Sequence, residues 1–160
     1  MGSTFIVRLP VAQSNETHTD VTAVASMCSP AKNARYRVLV VDDNRDAAES
    51  LATLLQIGGH EVHTATDGAE AIARTEQLRP NVIFMDIGMP RTNGLEAARS
   101  IRALPFGQHI SIVALTGWGQ EADRQRTRCA GMNHHLVKPI SSDALQSVLD
   151  GIDVNGGVFG

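Results

Sequence analysis

Five polar residues in this chain each stand at the end of a short apolar run or directly after one: Asp42 and Asp43 in VLVVDDN, Asp86 in VIFMD, Thr116 in IVALT, and Lys138 in LVK. The adjacent aspartates pose the first physical question. At about 4 Å separation two like charges repel by roughly 4 kcal/mol at an effective dielectric of 20, so something must offset them. A cation removes the penalty. Hard carboxylate oxygens with no His or Cys among them select Mg²⁺ or a similar ion, which takes a few acidic ligands and keeps several waters. A lysine opposite leaves room for a ligand with further negative charge, and a phosphoryl group fits that space. Taken singly, Asp43 could simply begin a helix, Thr116 satisfy a loop amide and Lys138 be a solvated charge. Polar groups at four strand ends, in strands whose interiors are otherwise apolar, read together as a site.

The elements that must position these residues follow from periodicity. From Tyr36 onward short apolar runs alternate with helical patterns, the signature of βαβ units and a parallel sheet covered on both faces. Strands are expected over 37–41, 61–65, 81–85, 111–115 and 135–137. The first helix begins near Asn44, carries Ala47, Leu51, Leu54 and Leu55 on one face, and meets Gly58-Gly59 as a left-handed cap. The second opens at Asp67, with Glu70 placed to complete a capping box, and stops at Arg79-Pro80. A third follows Asn93, a fourth runs from about Gln120 to Ala130 with Gly131 as its cap, and Ser141 starts the last. In open parallel sheets ligands gather beyond the carboxyl ends of strands, at the point where strand order reverses. That is where the five polar residues stand.

Composition narrows the function classes. A chain of 160 residues with 42% hydrophobic and 19% charged residues suits one ordinary soluble domain plus tails. A net charge of -3 offers no basic footprint, so no direct nucleic-acid contact is expected. No apolar stretch approaches the roughly 20 residues of a membrane helix, and no signal segment opens the chain; no membrane contact by this segment and a cytoplasmic location are expected, whether or not a parent protein is membrane-attached. Cys28 and Cys129 lack a nearby Cys or metal-ligand spacing and are expected as free thiols.

VVDDN, FMDIGMP with Gly94 beyond it, ALTG and VKP together resemble the receiver domain of two-component response regulators, over roughly residues 36–153. The resemblance implies an α/β, (βα)5 flavodoxin-like three-layer sandwich with parallel sheet order 2-1-3-4-5. It further implies phosphoryl transfer from a phosphohistidine to Asp86, aided by Mg²⁺. By position, Asp43 and Asp86 match direct metal ligands, Asp42 the acid that acts through water, and Gly88 the residue lending a backbone carbonyl. Thr116 matches the hydroxyl that contacts the phosphoryl group and Lys138 the ammonium that pairs with it, the Lys138-Pro139 peptide being cis. The implied partner is a histidine kinase or phosphotransfer domain, as donor or acceptor, with signalling through the fourth helix, fifth strand and fifth helix. The fragment would catalyse only its own aspartyl phosphorylation and dephosphorylation. The alternative is a receiver-like interaction module that is never phosphorylated, against which the joint retention of Asp86, Lys138 and Thr116 argues. A haloacid-dehalogenase-like hydrolase needs a second Asp where Gly88 stands, and a flavin carrier needs a Ser/Thr/Gly-rich loop where this chain has DDNRD.

Two positions depart from the family pattern. Three residues before the lysine, where many receivers carry Tyr or Phe, stands His135, either a polar substitute for the aromatic switch or a partly buried strand histidine; His134 beside it is expected at the surface. Trp118, two after Thr116, is a partner-facing anchor, a lid that keeps hydrolytic water out and lengthens phosphoaspartate lifetime, or an exposed loop aromatic. At the start, MGSTFIVRLPVA (1–12) resembles the extreme end of a histidine kinase catalytic domain, followed by a Ser/Thr/Asn/Ala-rich linker over 13–35. That implies the C-terminal receiver of a hybrid sensor kinase. No ATP-binding or phosphohistidine motif accompanies it, and the tail over 154–160 is expected to hold no output domain.

Overall fold

The computed structural model describes residues 35–90, 93–117 and 121–152. The expected kinase remnant, the linker before residue 35, Trp118 and the tail lie outside the described residues.

Five strands, β1 (Arg37–Val41), β2 (Glu61–Ala65), β3 (Val82–Asp86), β4 (Ser111–Thr116) and β5 (His134–Val137), form one parallel sheet in the order β2-β1-β3-β4-β5. Five helices connect and follow them: α1 (Arg45–Ile57), α2 (Gly68–Leu78), α3 (Gly94–Arg102), α4 (Glu121–Cys129) and α5 (Ser142–Gly151). The expected (βα)5 order is therefore present. The three central strands are apolar because both faces are covered. Leu39, Val41, Ile83, Met85, Ile112 and Ala114 point into one cluster with α2, α3 and the residues after α4. Val38, Val40, Val82, Phe84, Val113 and Leu115 point into the other with α1 and α5.

Local chemistry starts the helices where polar side chains can take the free first-turn amides. Asn44 Oδ1 accepts from Asp46 N and Ala47 N, Asp67 Oδ1 from Glu70 N, Asn93 Oδ1 from Leu95 N, and Ser141 Oγ from Ala144 N. Glu70 does reach back, but to the backbone N–H and hydroxyl of Thr66 at 2.8 and 3.0 Å, one residue beyond the expected capping box. Gly59 and Gly131 take positive φ after α1 and α4.

Three other expectations shift by a residue or a face. β3 begins at Val82, one residue later than expected; Asn81 before it accepts the Arg37 N–H at Oδ1 while its own N–H donates to the Arg37 carbonyl. The α1 stripe that meets the sheet is Ala48, Leu51, Ala52 and Leu55, the i, i+3, i+4, i+7 set, and not one through Ala47 and Leu54; Leu54 is 42% exposed. His134 is partly buried, where a surface position was expected; in register it lies beside Val113, on the face that α1 and α5 cover.

The loop after β3 is fixed by contact with Gly94, the first residue of α3, where a Cβ would fall 2.4 Å from the Asp86 carbonyl oxygen. Gly94→Ala is expected to destabilise the domain by ~1–3 kcal/mol through overpacking, seen as a lower thermal midpoint. An unchanged midpoint would show that this loop yields freely.

Candidate functional site

All five polar residues sit at the carboxyl edge of the sheet. Asp42 and Asp43 follow β1, Asp86 ends β3, Thr116 ends β4 and Lys138 follows β5. Order reversal puts β1 beside β3, so the strand ends that carry the acids are neighbours. Among the described residues, Asp42, Asp43 and Asp86 form a cluster whose carboxylate oxygens lie within 4.8 Å of one another.

Asp42 is the buried member, 2% exposed, and both its oxygens are used. Oδ1 accepts the Asn44 backbone N–H at 2.9 Å, and Oδ2 accepts from Lys138 Nζ at 2.7 Å. The Asp86 side chain is 13% exposed; Oδ2 lies 3.1 Å from the same ammonium and Oδ1 accepts the Gly88 N–H at 2.8 Å. Asp43 is exposed. One ammonium thus bridges two of three carboxylates. Burial pulls the Lys138 pKa down, but its hydrogen bonds and charge pairing with Asp42 and Asp86 outweigh that and leave it raised above the ordinary lysine value. The lysine therefore stays charged at neutral pH, and its contribution to stability, full below about 10.5, is lost as pH rises through the raised pKa.

The expected cis peptide at Lys138-Pro139 is present, and the Lys138 N–H donates to the Thr116 carbonyl at 2.8 Å. Thr116 is buried, its hydroxyl 3.2 Å from His135 Nε2. The other ring nitrogen of His135, Nδ1, is buried with no hydrogen-bond partner among the described residues. Burial lowers the His135 pKa first, Arg124 lowers it further and Asp123 opposes both. That contact could not be anticipated, since sequence spacing does not say which ring nitrogen faces which neighbour. The Asn44 and Gly88 amides that fix the carboxylates were likewise missed, although Asp-x-Asn and Asp-x-Gly are local side-chain-to-backbone turn signals. Trp118 lies outside the described residues.

Residues 38–150 match the response regulator receiver domain. The chain belongs to that family. The receiver is 37% identical over 119 residues to the Vibrio cholerae CAI-1 autoinducer sensor kinase/phosphatase CqsS, covering 72% of this chain but only 17% of CqsS. Its fold is similar to the receiver domain of the Pseudomonas aeruginosa sensor histidine kinase PA1611, with a TM-score of 0.69, 34% identity and coverage of 74% of this chain and 98% of that one. That structure has a magnesium ion coordinated in its active-site cleft. A third likeness is to a chain in the co-crystal of the Saccharomyces cerevisiae histidine phosphotransfer protein Ypd1 with the receiver domain of Ssk1: TM-score 0.71, 26% identity, 78% and 94% coverage.

The donor set of this receiver fits a hard divalent cation: three clustered carboxylates, one of them exposed, and a single ammonium for compensation. Without divalent cation, Asp43→Asn is expected to raise the thermal midpoint by relieving repulsion. Lys138→Met is expected to lower stability by ~1–3 kcal/mol, since it strands the buried Asp42 oxygen. Millimolar Mg²⁺ should raise the wild-type midpoint and raise that of Asp43→Asn less. Melting curves with and without the ion decide; equal Mg²⁺ shifts in both proteins would remove Asp43 from the ligand set.

Proposed function

We propose that this receiver accepts a phosphoryl group from phosphohistidine onto Asp86, with Mg²⁺, as one station of a two-component phosphorelay. The observation that carries the proposal is the bridging of Asp42 and Asp86 by Lys138 within the acidic cluster.

An Asp86 carboxylate oxygen forms the new bond to phosphorus as the phosphorus–nitrogen bond to the donor imidazole breaks, the bonding pair leaving with the imidazole. Such transfer asks the protein mainly for alignment and for charge stabilisation on the equatorial oxygens. Lys138 supplies a cation already in contact with the acceptor, and Thr116 a hydroxyl donor. Held by Asp43, Asp86, the Gly88 carbonyl and Asp42 through water, Mg²⁺ would neutralise negative charge on the phosphoryl oxygens. The Gly88 N–H on Asp86 Oδ1 limits the carboxylate's rotation.

The donor has a place to rest. Leu54 and Ile57, 42% and 80% exposed, continue Ala47 and Ser50 along the outer side of α1. With Leu51, Pro139 and Ile140 the inner part of that stripe lines a cleft of about 190 Å³ that reaches Asp42 and Lys138. An apolar helix face beside the acceptor suits a helical phosphohistidine donor, the partner class present in the Ypd1 and Ssk1 complex. The likeness to CqsS and PA1611, a sensor kinase/phosphatase and a sensor histidine kinase, supports placing residues 1–12 at the end of a kinase catalytic domain, residues 13–35 as linker and this segment as the cytoplasmic C-terminal receiver of a hybrid sensor kinase. Among the described residues no helix is long and apolar enough to cross a membrane.

Intact-mass measurement after incubation with acetyl phosphate is expected to show one Mg²⁺-dependent phosphoryl adduct that Asp86→Asn lacks. Leu54→Glu with Ile57→Glu should leave that labelling intact and slow transfer from a phosphorylated histidine phosphotransfer domain. No adduct from either donor would favour the interaction-module alternative.

A further inference from the structure

The Thr116–His135 contact joins two residues that the family pattern does not require to be hydrogen-bonded, and its chemistry can be followed atom by atom. His135 lies opposite Ala114 in the β4–β5 register, so its ring continues the row Val41, Met85, Ala114 onto the edge strand. The row is apolar until it reaches the imidazole. Nε2 meets the Thr116 hydroxyl at 3.2 Å while Nδ1 is buried with no partner among the described residues.

A neutral imidazole carries one proton, and the two tautomers differ in what they leave unsatisfied. With the proton on Nδ1, a buried N–H has no acceptor, and Nε2 consumes the only proton of the Thr116 hydroxyl. With the proton on Nε2, the ring donates to Thr116 Oγ1, and only a lone pair is left bare at Nδ1. Orphaned buried N–H groups are rarer in folded proteins than orphaned acceptors, so the second arrangement is the one the geometry favours. A doubly protonated ring would again put a buried N–H at Nδ1, in a groove where Arg124 and Arg128 oppose a second cation while Glu121, and Asp123 on the same helix, favour one.

We propose that His135 is a positioning residue: its Nε2–H donates to Thr116 Oγ1, which frees the Thr116 proton to donate to a phosphoryl oxygen on Asp86. The inference rests on Asp86 being the phosphoacceptor. It differs from an aromatic side chain moving into vacated space, because the polar contact is already formed and acts through a proton's direction. A hydroxyl has one proton to give and lone pairs to receive with. Thr116 can therefore stay bonded to His135 while it serves the site.

Two measurements test this. In ¹⁵N-labelled unphosphorylated protein at neutral pH, ring NMR is expected to show His135 protonated at Nε2 and bare at Nδ1, the signals being assigned by their loss in His135→Gln. A ring protonated at Nδ1 overturns the proposal. In acetyl phosphate labelling, His135→Phe keeps a ring but has no donor and should slow loading by roughly tenfold, the scale of one oriented hydrogen bond to a charged transition state. His135→Gln, whose amide N–H can replace Nε2–H, should recover most of that rate, and His135→Phe should add little in a Thr116→Val background. Equal loading of His135→Phe and wild type, or independent effects of the two substitutions, would refute the coupling. A wild type that takes no phosphoryl group fails the phosphoacceptor assignment and this proposal with it, whereas a loaded wild type with an Nδ1–H ring overturns this proposal alone.

Discussion

Crowded negative charge at the edge of an apolar sheet is the constraint on which the rest of this structure depends. Three carboxylates have oxygens within 4.8 Å of one another, and one ammonium reaches two of them. The strand order explains why a lysine does this and why it comes from β5. Asp42 and Asp86 end adjacent strands, whereas Lys138 follows a strand separated from β3 by β4. Only a long side chain spans that gap. Its backbone is anchored at the near end by the hydrogen bond from Lys138 N to the Thr116 carbonyl. The same segment therefore carries the cation and fastens the strand that holds the hydroxyl.

Holding like charges together demands stiffness, and the sheet supplies it. Eleven residues of the central strands, Val38 to Val41, Val82 to Met85 and Ile112 to Ala114, are completely buried between two layers of helices. Close-packed interiors transmit displacement instead of absorbing it. Beyond the last apolar residue of each strand the backbone is held by specific contacts. Asn44 N–H fixes Asp42, Gly88 N–H fixes Asp86, and the first residue of α3 lies so close to the Asp86 carbonyl that it has no room for a side chain. The carboxylates cannot relax apart without breaking these contacts.

Much of this is legible in the amino-acid sequence, and for a physical reason. A strand buried on both faces must be apolar along its length, so the first polar residue marks its carboxyl end, where ligands bind. VLVVDD, VIFMD and IVALT carry that information directly. The finer features are not encoded so locally. α1 contains apolar residues on two neighbouring stripes, and only packing decides that Ala48 and Leu55 go inward while Leu54 stays out. Glu70 has two amides within reach and takes that of Thr66. His135 is visible as a departure, but the nitrogen it offers to Thr116 depends on ring orientation, which no spacing encodes.

The arrangement also bears on how a phosphoryl group on Asp86 would alter the surface. Shifting a two-state element from 1:99 to 99:1 takes about 5.5 kcal/mol of differential stabilisation. Hydrogen bonds to charged groups contribute ~1.5–3 kcal/mol each, so two or three contacts present in only one state suffice. Lys138 and Thr116 are two such donors, and both lie on the β4–β5 side of the acceptor; β2, on the far side of β1, provides neither. Any rearrangement that brings them onto the phosphoryl group must therefore act on the ends of β4 and β5 and on the helices that follow those strands. Lys138 already touches both Asp42 and Asp86, so any shift of its ammonium toward a phosphoryl group on Asp86 would leave the buried Asp42 Oδ2 less compensated. A divalent ion in the acidic cluster would meet that need, so the proposed metal would also lower the cost of the lysine's move.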